Sequence, residues 1–275
     1  LALDEPTVER LVEMELDSLW VSLDGASPEC FEEVRESRAF ERIVGNLRML
    51  RQVKYRLDVP WPALGIAFVA MRRNQAELAE VIALGQRLGA VRFSVSNVQP
   101  HTEEMRGEIL HEKTLGQSPG VFSRMDIGRM DSGGVWDHTI AKLLADCGLR
   151  YANGRASTLL EDTCPFVEGG SMSIRWDGQV SPCLPLLHSH HAFLGGRRRE
   201  IRESSFGTIG DRSLRDIWDD PSYVAFRRRV QQFDFPPCLR CNSCDMMDSN
   251  QEDCYGNSPP ACGGCLWAQG LVLCP

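Results

Sequence analysis

The chain has 275 residues and a formal net charge of −8. This acidic balance argues against binding to nucleic acid or to an anionic membrane surface, since both require a basic face. The sequence contains no run of about 18 apolar residues, the minimum for a membrane-spanning helix, and no pattern of a secretory signal. We therefore expect a cytoplasmic protein with neither a nucleic-acid partner nor a membrane partner.

The first 25 residues enter regular structure almost at once. The stretch "LALDEPTVERLVEMELDSLWVSLDG" has no initiator Met, predicts a helix that starts at Asp4 or Glu5 before Pro6, and continues directly into a strand over 17–23. This pattern indicates a chain that begins in the middle of a domain. We expect the 275 residues to be a fragment.

Strands and helices alternate over the first hundred residues. A helix follows Ser27 and Pro28, a second carries apolar residues at helical spacing from Phe40 to Val53, and a third is predicted to open with a capping box at Asn74 and Glu77. The predicted strands cover 17–23, 63–71 and 91–98. Strands separated by helices indicate β-α-β units with a parallel sheet, so the fold class is α/β.

Polar residues alternate with apolar ones on two of these strands. Ser22 and Asp24 share one face of the first strand, and Ser94 and Ser96 share one face of the third. A parallel sheet covered on both sides is usually apolar throughout. These residues indicate either a ligand-filled interior near the carboxyl ends of the strands or an ordinary solvated face.

The second half of the chain has a different character. It predicts a β-hairpin that turns at Asp177 and Gly178, a helix capped by Ser213, and a cysteine-rich tail. The stretch "VWDHTIAKLLADCGL" predicts a further helix, and the six tryptophans are interpreted as core residues. We place the domain boundary so that one domain covers 1–160 and the other 161–275.

Eleven cysteines are present. Cys30 and Cys147 stand alone in helical contexts and are interpreted as buried thiols. An odd count, the lack of a secretory signal and a large aliphatic core weigh against a disulfide framework for the others. The nine candidate metal ligands are Cys164, Cys183, Cys238, Cys241, Cys244, Cys254, Cys262, Cys265 and Cys274.

Their spacing allows two kinds of metal site. The C-x2-C pairs that begin at Cys238 and Cys262 have the spacing of zinc knuckles. However, Cys238, Cys241 and Cys244 form an unbroken C-x2-C-x2-C run, which is the spacing of bacterial ferredoxins. Nine thiols suffice for two four-ligand clusters. Iron–sulfur is favoured over zinc.

Several segments together resemble one enzyme family. The stretch "SLWVSLDGASPECFEEVRESRAFERIVGNLRML" resembles the fourth strand and following helix of radical S-adenosylmethionine (radical SAM) enzymes. Cys164, Gly178 and Cys183 fit the pattern C-x(9–15)-G-x4-C that opens the SPASM auxiliary-cluster domain, and "GTIGDRSLRDIWDD" is similar to its connecting helix. The resemblance implies the C-terminal part of a partial (β/α)6 radical SAM barrel, followed by a small α+β cysteine-rich SPASM domain.

Within this family, the sequence is most similar to the maturases of tungsten-pterin aldehyde oxidoreductases. The segments that carry this similarity are "SNVQPHTEEM", "CLPLLHSH" and "CGGCLWAQGLVLCP". The resemblance implies a maturase that modifies a cofactor or a protein by 5′-deoxyadenosyl radical chemistry. Its implied partners are a reductant such as ferredoxin or flavodoxin, and an aldehyde oxidoreductase or its pterin cofactor.

The resemblance also implies site residues. Ser22 would contact the ribose or methionine end of S-adenosylmethionine, Arg35 its carboxylate, and Asp24 would line the pocket; no catalytic residue is assigned. A solvated helix residue is the alternative for Arg35. The family's C-x3-C-x2-C signature, which binds the S-adenosylmethionine cluster, does not occur in the sequence and is expected upstream.

Two auxiliary [4Fe–4S] clusters are implied in this chain. Cys164 and Cys183 are expected to serve the first, and Cys238, Cys241 and Cys274 the second. The tail departs from the usual SPASM order C-x2-C-x5-C-x3-C, so the remaining cysteines are not assigned to a particular cluster.

Three further features have more than one interpretation. His188, His190 and His191 fit either a site for a metal or a pterin oxygen, or a surface loop. The arginine runs "GGRRRE" and "FRRRV" fit a phosphate site, but a solvated face is the expected interpretation. For the chain as a whole, a non-enzymatic iron–sulfur or zinc scaffold and a peptide-modifying SPASM enzyme are the alternatives.

Overall fold

The computed structural model describes residues 3–111, 121–122, 125–127, 130, 134–135, 138–139, 162–194, 196–241 and 244–273. The chain forms two compact units. The first comprises Leu1–Val98, Pro119–Ala156 and Leu273–Pro275, and the second comprises Gln99–Ser118 and Ser157–Val272. None of the helices in the described ranges has both the length and the apolar character needed to cross a membrane.

The first unit alternates helices with strands of a sheet. Within the described residues the strands lie in the order β1-β2-β3-β5-β4; all neighbours pair in parallel except β4, which runs antiparallel to β5. The α/β class predicted from the alternation is confirmed. The elements are α1 (Glu5–Glu13), β1 (Ser18–Ser22), α2 (Pro28–Arg35), α3 (Phe40–Leu57), β2 (Ala63–Ala70), α4 (Leu78–Leu88), β3 (Ala90–Asn97), β4 (Val121–Phe122) and β5 (Met125–Ile127).

The core of this unit follows the apolar patterning. On α3 the buried side chains recur at helical spacing, from Phe40 through Val44 and Leu47 to Val53. The central strand β2 buries most of its residues, as expected for a parallel strand covered on both faces. Asp4 caps α1 by accepting from the Thr7 amide at 3.0 Å, as predicted at this terminus.

The predicted capping box at Asn74 is wrong. A short 3₁₀ turn at Gln75–Glu77 precedes α4, and the Asn74 side chain makes no capping bond. Instead, the fully buried Asn74 accepts from the Met71 amide at 2.8 Å and donates to the carbonyls of Val69 (3.0 Å) and Asp24 (3.1 Å). Because a buried amide must satisfy its donors, it ties the end of β2 to the Asp24 segment rather than capping the helix.

The second unit combines small antiparallel sheets with short helices. The predicted hairpin is confirmed: β6 and β7 pair antiparallel, and Gly178 takes the left-handed conformation (φ +85°) that the turn requires. The elements are α5 (Glu103–Arg106), α6 (Pro165–Glu168), β6 (Ser173–Ile174), β7 (Gln179–Ser181), β8 (His190–Leu194), β9 (Arg197–Ile201), β10 (Gly207–Thr208), α7 (Leu214–Trp218), α8 (Pro221–Gln232) and α9 (Cys238–Cys241).

One helix cap and one tryptophan of this unit can also be compared with the predictions. Ser213 and Asp216 form a reciprocal capping box at the start of α7, so the predicted Ser213 cap is confirmed. Val180, Ile217 and Tyr223 lie at the centre of a hydrophobic cluster. Trp176 is 89% exposed, so the interpretation of every tryptophan as a core residue is wrong at this hairpin position. The helix predicted around Cys147 lies mostly outside the described residues.

Candidate functional site

Three residues predicted to bind S-adenosylmethionine lie together in the first unit. Ser22 ends β1, Asp24 follows it, and Arg35 is the last residue of α2. Arg35 Nε donates to Asp24 Oδ2 at 2.5 Å, and its Nη2 donates to the Ser22 hydroxyl oxygen. The short loop between β1 and α2 therefore brings the three side chains into one hydrogen-bonded set.

Asp24 is the buried anchor of this set, at 1% exposure. Its Oδ1 accepts from the Val69 amide at 2.7 Å. Burial raises the pKa of the Asp24 carboxyl, while the Val69 N–H and the Arg35 guanidinium act in the opposite direction. Ser22 is exposed and the Arg35 side chain is 39% exposed. The hydroxyl and the guanidinium are therefore accessible to solvent, while the carboxylate of Asp24, which bonds to Arg35, is buried.

Ser94 and Ser96 on β3 are buried. The Ser96 hydroxyl donates to the Asn97 carbonyl at 3.0 Å and accepts from the Leu273 amide at 2.9 Å. The alternative that these serines form an ordinary solvated face is therefore wrong for β3.

Four cysteines from three separate segments line one cavity in the second unit. Cys164 immediately precedes α6, Cys183 follows β7, and Cys262 and Cys265 belong to the tail. We call these four residues the inner quartet. Apolar side chains form much of the remaining wall, among them Phe166, Val167, Leu186, Phe226 and Leu266.

Burial and mutual proximity control the ionisation of the inner quartet. Burial raises the pKa of Cys164 to about 11 and raises the pKa values of Cys183, Cys262 and Cys265 as well. The charges of the neighbouring thiolates raise the pKa of Cys183 further. Each of the four residues is partly exposed, yet burial is the largest effect on the pKa of each thiol. Four such thiols ionise together only when cations share the cavity with them.

The donor set fits an iron–sulfur cluster. [4Fe–4S] clusters take four cysteine thiolates, and the inner quartet supplies four. Among the described residues, no three His, Cys, Asp or Glu side chains form a group that could hold a single metal ion. The buried indole N–H of Trp267, another residue of the cavity wall, has no hydrogen-bond partner among the described residues; cluster sulfide is an acceptor of the required kind.

The two residues between Cys262 and Cys265 must be small. A Cβ on Gly263 would overlap the Pro236 carbonyl oxygen and lie 3.3 Å from Cys238 Sγ. A Cβ on Gly264 would lie 2.5 Å from Arg199 Nη1. The sequence Cys-Gly-Gly-Cys therefore lets the tail pass closely by both Cys238 and Arg199.

A second set of cysteines lies around Cys238. Burial raises the pKa of Cys238, Arg199 lowers it, and Cys254, Asp253 and Cys244 raise it. We call Cys238, Cys244 and Cys254 the outer group. Cys241 ends α9, the short helix that Cys238 begins, and is exposed like Cys244 and Cys254.

The positions of the cysteines agree only in part with the cluster assignment made from the sequence. Cys164 and Cys183, expected in one cluster, lie together, but Cys262 and Cys265 join them and had been assigned to no cluster. Cys274, expected in the second cluster, lies outside the described residues. The cluster that each thiol serves stays a prediction.

Arg199 is a residue that the sequence interpretation missed. It belongs to the run "GGRRRE", which was expected to be solvated, but on β9 its side chain is buried at 4% exposure. Its Nη1 donates to the Gly264 carbonyl at 2.6 Å, its Nη2 to the Ser249 carbonyl at 3.2 Å, and its Nε to the Met247 carbonyl. Successive side chains of a strand point to opposite faces, so Arg198 and Glu200 on either side are exposed. Because all of these residues are charged, the sequence carries no signal of which face is buried.

The histidines lie on β8 and beside it. His190 also lines the cavity of the inner quartet; its Nδ1 lies 2.9 Å from the His188 carbonyl and its Nε2 lies 3.1 Å from Gln99 Nε2. Burial lowers the pKa of His190. The expected surface loop is thus a strand at this point, with His190 half-buried and His191 exposed.

Comparison with known proteins agrees with this geometry. Residues 164–245 match the SPASM family, described as an iron-sulfur cluster-binding domain. The chain is 28% identical, over 99% of its length and 72% of the relative's, to a tungsten-containing aldehyde ferredoxin oxidoreductase cofactor-modifying protein from Pyrococcus furiosus.

Two solved structures share the fold. The crystal structure of Streptococcus suis SuiB bound to its precursor peptide SuiA matches with a TM-score of 0.53, and SuiB bound to S-adenosylmethionine with a TM-score of 0.50. Each is 15% identical and matches over 94% of this chain, which spans only 55% of the SuiB chain. These matches confirm the resemblance to radical SAM enzymes with a SPASM domain. They also confirm the sequence similarity to the tungsten cofactor maturases.

Proposed function

We propose that the inner quartet and the outer group each bind one auxiliary [4Fe–4S] cluster. The observation that carries this proposal is the convergence of four cysteines, from three separate segments, on one apolar cavity. For the outer group the fourth ligand is Cys241 or Cys274. The match of residues 164–245 to a cluster-binding domain supports the same assignment.

A bound [4Fe–4S] cluster supplies one-electron redox chemistry. The chain's own residues hold it and control its surroundings. The inner quartet provides thiolates in a wall of apolar side chains that limits access of water, while the outer group lies near the surface with its three cysteines exposed or partly exposed. This difference in burial gives the two sites different solvent access, which is one determinant of reduction potential.

For the whole protein we propose a radical SAM maturase that modifies a tungsten-pterin cofactor. Residues 1–160 would be the C-terminal part of the partial barrel, and the auxiliary clusters would lie within 161–275. Ser22, Asp24 and Arg35 are the proposed contacts to S-adenosylmethionine, and their hydrogen-bonded arrangement supports this. The similarity over almost the whole chain to a cofactor-modifying protein favours this substrate class. Ferredoxin or flavodoxin is the proposed reductant, and an aldehyde oxidoreductase is the proposed recipient.

Modification of a peptide is the second candidate. The observation in its favour is the similarity to a protein crystallised with its precursor peptide. At 15% identity this likeness carries the fold alone, so the cofactor-modifying assignment is preferred. Incubating the full-length enzyme with each substrate class, and following S-adenosylmethionine consumption, separates the two candidates.

Metal analysis tests the cluster proposal directly. The protein is prepared anaerobically, and iron, acid-labile sulfide and zinc are measured per chain, with electron paramagnetic resonance after reduction by dithionite. We expect iron and sulfide in equal amounts, a brown colour and signals from two reduced clusters. A colourless protein with stoichiometric zinc and no sulfide would contradict the proposal and favour a zinc scaffold.

A further inference from the structure

Arg199 is a buried cation without a carboxylate partner in the described part of the chain. Its three hydrogen bonds all go to backbone carbonyls, those of Met247, Gly264 and Ser249. The nearby Asp248 instead pairs with Arg197, at 2.7 Å. A charge removed from water is costly unless an opposite charge lies close to it, so the burial of Arg199 requires another source of negative charge.

The negative groups that favour the charged guanidinium of Arg199 against the effect of its burial are, in decreasing order, Cys238, Cys265, Asp248 and Cys262. Three of these four groups are cysteines. Cys265 and Cys262 belong to the inner quartet, whereas Cys238 belongs to the outer group. Arg199 is thus within electrostatic range of both cysteine sets.

The backbone contacts place the guanidinium at the turn that links these sets. Gly264, whose carbonyl accepts from Nη1, lies between the two tail cysteines of the inner quartet. The adjacent Gly263 approaches Cys238 Sγ so closely that a Cβ there would lie 3.3 Å from it. A single cation, fixed by three carbonyls, therefore lies beside a turn that belongs to the inner quartet and passes close to Cys238 of the outer group.

We propose that Arg199 is a positioning residue that sets the reduction potentials of both auxiliary clusters through its fixed positive charge. This inference rests on the two-cluster proposal. A cluster gains a negative charge when it accepts one electron, and a nearby cation stabilises that reduced state, which raises the potential. Because the same guanidinium faces both sites, it raises both potentials together and favours electron occupancy on either side of the turn.

The test is an anaerobic redox titration of the cluster-loaded protein, followed by electron paramagnetic resonance. In Arg199→Met we expect the oxidised-to-reduced ratio of both clusters, at a fixed potential, to rise at least tenfold, which corresponds to about 59 mV for a one-electron couple. Arg199→Lys keeps the charge and is expected to shift each potential by less than half as much. Arg198→Met is the matched control, since Arg198 neighbours Arg199 on β9 but is exposed and bonds to His191 at 2.9 Å; its potentials should equal those of the wild type.

The iron content and the potentials of the variants decide whether the inference holds. Unchanged potentials in an Arg199→Met protein that holds full iron and sulfide would do so. If Arg199→Met and Arg199→Gln fail to hold iron while Arg199→Lys holds it, the requirement for the charge is supported. Loss of iron from all three variants would contradict the inference, because the carbonyl contacts and not the charge would then be essential. Absence of iron and sulfide from the wild-type protein would instead overturn the two-cluster proposal itself.

Discussion

Arg199 Nη1 donates a hydrogen bond of 2.6 Å to the carbonyl oxygen of Gly264, at a turn where a Cβ would lie 2.5 Å from the same nitrogen. We therefore expect Gly264→Ala to displace the guanidinium, to destabilise the second unit by about 1–3 kcal/mol and to lower the amount of bound iron. Thermal unfolding and iron analysis measure the two effects.

Gly45 provides the control for this substitution. It lies exposed on α3, and a Cβ added there would meet no described atom within 4 Å. Because glycine costs a helix interior about 0.5–1 kcal/mol relative to alanine, we expect Gly45→Ala to raise the free energy of unfolding. Equal effects of the two substitutions would show that the turn at Gly264 has room for a side chain.

Replacement of single cysteines should remove one cluster at a time. We expect Cys183→Ser to lose about four irons and the sulfide of one cluster while the signal of the other persists, because the serine hydroxyl is a poor iron ligand. Cys254→Ser should remove the complementary signal. Cys30→Ser is the control, since Cys30 lies in the first unit with its thiol 3.9 Å from the Asp24 carbonyl. Identical spectra for the Cys183 and Cys254 variants would contradict two separate sites.

The buried carboxyl of Asp24 should make folding stability dependent on pH. Its pKa in the folded protein is raised by burial above the ordinary value of 3.8. The folded state then binds the proton more tightly than the unfolded state, so the contribution of Asp24 to stability is full below pH 3.8 and decreases as pH rises through the raised pKa. We expect the unfolding free energy of the wild type, minus that of Asp24→Asn, to fall over this range.

Chemical denaturation of the two proteins at a series of pH values measures that difference. Asp58→Asn is a suitable control, because Asp58 is exposed at the left-handed end of α3, where asparagine is well tolerated. A difference between wild type and Asp24→Asn that is constant with pH would contradict the expectation.

The 275-residue chain alone should not cleave S-adenosylmethionine. The C-x3-C-x2-C signature does not occur in its sequence. With S-adenosylmethionine and dithionite we expect no 5′-deoxyadenosine, as measured by chromatography, although the auxiliary clusters are reduced. A full-length radical SAM enzyme under the same conditions serves as the positive control. Formation of the product would show that another part of this chain supports the cleavage.

The sheet and the helix ends were predictable because they depend on local patterns. Short strand patterns separated by helices indicated the right alternation, and the caps at Asp4 and Ser213 follow from side chains that bond amides three residues away. Asn74 had the same local pattern, but its partners are Val69, Met71 and the distant Asp24. Capping preference competes with such tertiary bonds, and here the burial of the amide decided the outcome.

The candidate site was predictable in composition but not in arrangement. Spacing alone indicated a cluster on the run from Cys238 to Cys244, whereas the inner quartet draws on residues far apart in the chain. Arg199 was hidden for a related reason: which face of β9 is buried depends on contacts with Ser249 and Gly264, which lie 50 and 65 positions later. The charge of the arginine run does not indicate which of its residues makes such contacts.

The separation of the inner quartet along the chain has a consequence for biosynthesis. Cys164 and Cys183 leave the ribosome well before Cys262 and Cys265, so the complete set of four ligands does not exist until nearly the whole tail has been translated. The proposed cluster would crosslink the segments of Cys164 and Cys183 to the later tail of the second unit, and it would restrict the unfolded chain much as a long-range disulfide does. Iron delivery to the inner quartet should therefore follow the synthesis of Cys265.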